Sequence, residues 1–153
     1  MNGFRDVLQL IPHGVYLVGT ANGRDRFLYT ATWLCQVSST PPRLATAIRP
    51  AHRGYELIAA SGVFTVNCLE SSQLELAQIG FGRGGDRLHG IEWQPCPVTG
   101  APVLTDGLGY LGCRVSQLLE AGDHVLAVAD VVAGRQFHGG RPMTIHDTPW
   151  TYS

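Results

Sequence analysis

Two long strand-like runs, Gly109 to Leu119 and His124 to Ala133, flank the short connection Glu120-Ala121-Gly122-Asp123. A parallel pair needs a crossover of a dozen residues or more, so runs this close must pair antiparallel. The rest of the chain supplies further strands of the same kind. Val15 to Thr20 reads as a strand, Asn22-Gly23 as a turn and Phe27 to Cys35 as a second strand, which together make a hairpin. Pro41-Pro42 breaks the chain, and Leu44 to Ile48 forms a third strand that stops at Pro50. Val63 to Leu69 is a fourth, and Pro142 to Ile145 a short last one.

The helices between them are short. Asn2 caps one in which Phe4, Val7, Leu8 and Ile11 recur at helical spacing, with Pro12 ending it. His52 to Ala60 has helix-forming composition, with Tyr55 and Ile58 on one side. Ser72-x-x-Glu75 matches a capping box opening a helix with Leu74, Leu76 and Ala77 as apolar positions. The Gly- and Pro-rich residues 80 to 102 read as one long loop, a length that in a compact domain points to binding. Strands and helices do not alternate as a doubly wound parallel sheet requires. The pattern predicts a mainly β fold with short helices, an antiparallel barrel, over residues 1–153 as one domain.

Composition limits the partners. The net charge of −1 is too small to hold nucleic acid or an acidic membrane. All 11 basic residues are Arg, so any phosphate must be met by Arg, His, hydroxyls or backbone N–H groups. Charged residues make up only 15% of the chain, against about 25% in an ordinary soluble domain. That deficit favours a face buried against a second copy, a homodimer. The N-terminus is too short and polar for a signal peptide, and no apolar run approaches the roughly 20 residues of a membrane span, so a cytoplasmic protein is expected. Cys35, Cys68, Cys96 and Cys113 form no C-x-x-C pair and read as buried thiols; the His spacing offers no metal site.

Three segments have chemical potential. In Gly80 to Arg87 the glycines follow a helix rather than a strand, which excludes a dinucleotide fingerprint and leaves a loop that sets Arg83 and Arg87 beside an anionic ligand, or a solvated turn. Along Thr30 to Ser38, Thr30, Thr32, Gln36 and Ser38 occupy even positions, so a regular strand presents all four to solvent or to a polar ligand edge. Asp123-His124 lies at the tight connection between the two long strands, where Asp123 can orient the imidazole and raise its pKa. No G-x-S-x-G elbow supports nucleophilic hydrolysis.

The order of these pieces resembles the flavin reductase-like, FMN-binding split-barrel family. The matching parts are Phe4 to Thr20, Thr30-Ala31-Thr32 with Ser38 before Pro41-Pro42, Phe64 to Leu69 and Gly85-Asp86-Arg87. Gly100 to Leu104 before Cys113-Arg114-Val115, and Ala121-Gly122-Asp123-His124, complete the set. The resemblance implies a six-stranded antiparallel split barrel that dimerises, with FMN (or FAD) near the subunit boundary and NAD(P)H as electron donor. It implies that Thr30, Ala31, Thr32, Trp33, Cys35, Gln36, Val37 and Ser38 hold the isoalloxazine edge and ribityl phosphate. Arg49, His52 and Arg53 would close over the phosphate, Asn67 would lie close to the flavin, and His124 would serve the ring and the incoming nicotinamide. The form Trp33-Leu34-Cys35-Gln36-Val37-Ser38 is closer to the branch found beside rubredoxins and flavodiiron proteins. A protein donor such as rubredoxin therefore stands beside NAD(P)H as an alternative, and a haem- or small-ligand-binding barrel is a third reading.

Overall fold

The computed structural model describes residues 3–82 and 86–151. Among the described residues nine strands form: β1 (Tyr16–Asn22), β2 (Asp25–Ala31), β3 (Leu34–Ser39), β4 (Pro42–Ile48), β5 (Val63–Cys68), β6 (Trp93–Pro95), β7 (Pro102–Leu104), β8 (Gly109–Ala121) and β9 (His124–Gln136). The helices are α1 (Gly3–Leu8), α2 (Arg53–Ser61) and α3 (Leu74–Gln78). None of the described helices is long and apolar enough to cross a membrane.

The long hairpin forms as its length demands. Ala121 faces His124 across the two-residue turn Gly122-Asp123, where Gly122 takes φ 66°, a conformation that costs glycine little. Seven strands join one antiparallel sheet in the order β2-β1-β5-β8-β9-β4-β3. Its two edge strands, β2 and β3, are consecutive in the chain and separated only by Thr32 and Trp33. The sheet therefore curls until its edges almost meet, and a split stays open between them.

That split corrects the expected strand from Phe27 to Cys35. Thr32 and Trp33 leave the β2 ladder, Trp33 O accepts from Ala47 N at 3.0 Å, and the chain resumes on the opposite edge. A bulge at Val37 then breaks the alternation a second time, so Thr30, Thr32, Gln36 and Ser38 do not share one face. The main sheet accordingly counts seven strands where six were expected.

Four other expectations change. The first hairpin turns at Gly23-Arg24, one residue later than read, because Asn22 pairs with Asp25. The Ser72 capping box is absent: the Ser72 backbone N–H and hydroxyl both donate to Glu70, and Gln73 occupies the cap without a side-chain capping bond to the helix. Within the expected loop, Trp93–Pro95 pairs with Pro102–Leu104 as a two-stranded sheet. Pro142 to Ile145 makes only isolated bridges, Gly14 to Thr144 and Glu70 to Pro142, before a 3₁₀ turn at Ile145–Asp147. The Asn2 cap lies outside the described residues, and α1 stops at Leu8, short of Pro12.

β1 is buried on both faces, which explains its continuous apolar run. Val18 turns into the barrel core with Tyr29, Ile48, Phe64, Val66 and Ile58 of α2. Leu17 faces outward into a second cluster with Leu28, Leu69, Leu104, Met143 and Ile145. α1 and the outer half of β8 bury little: Phe4, Val7, Leu8, Leu118 and Leu119 stay exposed.

Candidate active site

The split opens into a cleft of about 260 Å³. Thr30, Ala31, Thr32 and Trp33 form one wall as β2 ends and the chain crosses. Ala47, Ile48 and Arg49 arrive at the end of β4, His52 from the cap of α2, and His124 from the start of β9. Gly80 and Phe81 close the cleft from the 3₁₀ turn Ile79–Phe81. Gly80 is needed there, since a Cβ would collide with the Thr30 backbone N and hydroxyl.

His124 is 5% exposed, and its Nδ1 lies 2.7 Å from Asp123 Oδ1. Arg49 Nη1 donates to the other carboxylate oxygen at 3.2 Å. The hydrogen bond from His124, helped by the Arg49 charge, holds the Asp123 carboxyl below its ordinary range. An ionised Asp123 keeps the proton on Nδ1 of His124 and leaves Nε2 as the nitrogen able to accept or donate. The Trp33 ring packs 4.8 Å from the imidazole, centroid to centroid.

His52 is used differently. Its Nδ1 accepts from Gly54 N at 2.9 Å and caps α2, while its ring lies 4.8 Å from that of Tyr29. Burial, reinforced by the nearby Arg87 charge, lowers its pKa, so the ring is neutral with its proton on Nε2. Tyr29 is buried, which raises its pKa above the ordinary phenol range, and its hydroxyl has no partner among the described residues. Thr30 donates to Ala77 O at 2.5 Å, whereas the Thr32 hydroxyl makes no hydrogen bond to other described residues.

The cleft thus collects Thr30, Ala31, Thr32, Trp33, Arg49, His52 and His124. Other sequence-predicted residues stand elsewhere. Cys35 is exposed, contrary to the buried-thiol reading, and with Leu34, Ala45 and Leu126 lines an adjoining apolar hollow that shares Trp33 and Ala47 with the cleft. Gln36, Val37 and Ser38 lie outside the cleft on β3, where Gln36 Nε2 donates to Ser38 O. Arg53 is engaged with Glu56 at 3.1 Å and Asp25 at 4.0 Å. Asn67 is fully buried: its Nδ2 donates to Leu17 O and Pro102 O, and its Oδ1 accepts from Leu104 N. Arg87 donates to Leu28 O, Gly80 O and Gly82 O and lies 4.5 Å over the Phe27 ring. It is a buttress for the 3₁₀ turn. Arg83 lies outside the described residues. Tyr29 and Phe81 were missed because nothing in their local sequence separates a cleft wall from an ordinary core aromatic.

The family model described as "Flavin reductase like domain" matches residues 8–149. The chain belongs to this family. Flavin reductase-like relatives include FMN reductase (NADH) RutF 2 of Rhizobium rhizogenes, 32% identical over 146 residues, covering 94% of this chain and 84% of that protein. Diflavin flavoprotein A 1 of Synechocystis is 30% identical over 129 residues, covering 82% of this chain but only 22% of that protein. Among solved structures, nitrilotriacetate monooxygenase component B from Mycobacterium thermoresistibile superposes with a TM-score of 0.85 at 26% identity, covering 93% of this chain and 80% of that one. Family membership and fold agree on an antiparallel split barrel.

Proposed function

We propose that this flavin reductase-like protein is an NAD(P)H-dependent flavin reductase, a single split-barrel unit that holds FMN at the split and acts as a cytoplasmic homodimer. The observation that carries the reading is the meeting of Arg49, the Asp123-held His124 and Thr32 around one aromatic-walled cleft. The relative named for FMN and NADH supports it.

The donor set fits the cofactor. Arg49 is half-exposed and tied only by a surface ion pair, worth roughly 0.2–1 kcal/mol, so a phosphate can recruit it cheaply. His52 Nε2–H adds a neutral donor at the same end. Thr30 and Thr32 serve the polar edge of the ring, and Trp33 and Phe81 pack its apolar surface. When bound, flavin supplies hydride acceptance from the nicotinamide and delivery of electrons to an acceptor. His124 lines the same cleft, and its Nε2 would be the atom that holds or donates a proton to the bound ring. FAD fits the same donors at its shared FMN portion.

Homodimerisation is supported by the edge of β8 beyond Val115, which has no strand beside it among the described residues and where Leu118 and Leu119 are exposed, and by the exposed apolar residues of α1. Four free cysteines suit a reducing compartment. A second reading is a flavin-holding module loaded by a protein donor such as rubredoxin; the match to 22% of a protein named diflavin flavoprotein is compatible with its flavin-holding part. The visible spectrum of the purified protein, recorded before and after anaerobic NADH, decides between them. Flavin bands that bleach support the reductase; bands that persist support the module; a colourless protein that binds no added FMN sinks both.

A further inference from the structure

One carboxylate serves two groups that the proposed function sets to different tasks. Asp123 Oδ1 lies 2.7 Å from His124 Nδ1, and Asp123 Oδ2 accepts from Arg49 Nη1 at 3.2 Å. The sheet register brings the three together. Ile48 pairs with Val125 at the end of the β4–β9 ladder, so Arg49 and His124 are the next residues outward on the two strands. Asp123 lies in the turn immediately before His124.

The three side chains differ in freedom. His124 is buried and its Nδ1 is committed to Asp123. The side chains of Arg49 and Asp123 are 56% and 73% exposed, so water can replace either partner at little cost. An ion pair that only pinned the hairpin to β4 would not need its cation in the wall of the cleft. Arg49 stands there beside His52, where a phosphate draws it by a charge-assisted bond. The other titratable groups of that wall among the described residues, His52 and Tyr29, are held neutral by burial first. Trp33, packed on the His124 ring, carries no charge. Arg49 and the ionised Asp123 are therefore the charges set against the imidazole.

A guanidinium drawn to a phosphate no longer neutralises Asp123 Oδ2. The carboxylate then acts on the imidazole alone, their hydrogen bond strengthens, and the ring holds its second proton more tightly. We infer that Asp123 is a phosphate-sensing link, which passes occupation of the Arg49 end by the flavin phosphate to the proton-carrying His124. This rests on the reductase reading, with Arg49 at the phosphate and His124 at the ring. Asp123 is a positioning residue that acts through His124. The phosphate of FMN thereby enters the rate of reduction as well as the affinity.

The test follows the Cε1–H resonance of His124 against pH, assigned by its loss in His124→Gln, in protein saturated with FMN or with riboflavin. His124 should bind its proton about threefold more tightly with FMN than with riboflavin, the size expected of an exposed ion pair. Asp123→Asn keeps an acceptor for Nδ1–H without the charge and should make the two ligands equal. Arg49→Ala frees Asp123 whichever flavin is bound, and should lift the riboflavin value to that of FMN. With saturating flavin near pH 8, kcat should follow the same pattern, about threefold higher for FMN in the wild type and equal in Asp123→Asn. A His124 that titrates alike with both flavins overturns the link. So does a difference that survives Asp123→Asn, because the phosphate would then act through its own field. A difference that Asp123→Asn abolishes, in a protein that does not oxidise NADH, sinks the reductase reading and leaves the link standing. NADH oxidation with no such difference sinks the link alone, and a protein that binds neither flavin sinks both.

Discussion

His124 and Arg49 share Asp123, yet their substitutions should have different effects. His124→Ala removes the group beside the reacting ring and keeps the phosphate cation, so it should cut the rate of NADH-driven flavin reduction by about 100-fold. FMN affinity should change by no more than about threefold. Stopped-flow reduction and an equilibrium FMN titration check this; unchanged turnover removes His124 from the chemistry. Arg49→Ala should weaken FMN by about tenfold or more, the size of a charge-assisted hydrogen bond. Riboflavin, which lacks the phosphate, should be spared, and equal losses for the two ligands would sink the phosphate role. His52 gives a pH signature in the flavin-free protein. Its pKa is lowered on folding, by burial first and Arg87 second, so the unfolded chain takes up the proton before the folded one. The associated stability is fully present above the unfolded value, about 6.5, and is lost as pH falls through the folded value. His52→Asn keeps a capping acceptor without a titrating ring, so its melting temperature should fall less than the wild type's between about pH 7.5 and pH 5. Equal falls in the two proteins would remove His52 as the cause.

Between elements, the decisive polar contact is a strut. Asn67 on β5 bonds to β1 through Leu17 O and to β7 through Pro102 O and Leu104 N, all in a buried setting. Thr65 repeats the theme, its hydroxyl 2.5 Å from Pro102 O. Removing the amide by Asn67→Ala leaves buried groups without partners and should cost roughly 2–3 kcal/mol in urea unfolding. Variant protein that remains folded should bind FMN normally, because Asn67 does not line the cleft. A stable variant with weakened FMN would instead return Asn67 to the ligand. The short helices act at this scale too: α2 carries His52 to the cleft, and its first turn packs so closely that a Cβ on Gly54 would sit 2.6 Å from Tyr29.

For the molecule as a whole, the low charge content and the unsheltered apolar residues point the same way. β8 pairs with β5 from Gly109 to Arg114 and Val115 N still donates to Gly62 O, so among the described residues this edge is unpaired only beyond Val115, where it carries Leu118 and Leu119, which are 40% and 44% exposed. An edge of that kind is covered in a stable protein. Sedimentation should show a dimer, and Leu119→Arg, which sets a charge into that contact, should shift the equilibrium toward monomer. A monomeric wild type at micromolar concentration would rule the dimer out.

Much of this architecture could be read directly from the residues. Strands alternating with Gly, Pro and Asn punctuation, and two long runs joined by Glu120 to Asp123, determine an antiparallel sheet because local sterics and period-two patterning act over a few residues. The family resemblance singled out Arg49, and the Asp123-His124 pair singled out His124, as candidates on sequence alone. Tertiary structure alone decided that the chain leaves β2 at Thr32-Trp33, where no Gly or Pro announces a break, because the break exists to carry the chain to the far edge of a curled sheet. It also decided which polar residues are free for a ligand. Asn67 and Arg87 carry donors that a ligand could use, but acceptors that only the fold brings to them, Leu17 O and Pro102 O for Asn67 and Leu28 O for Arg87, engage them. Tyr29 and Phe81 become walls of the cleft only when segments distant along the chain pack together.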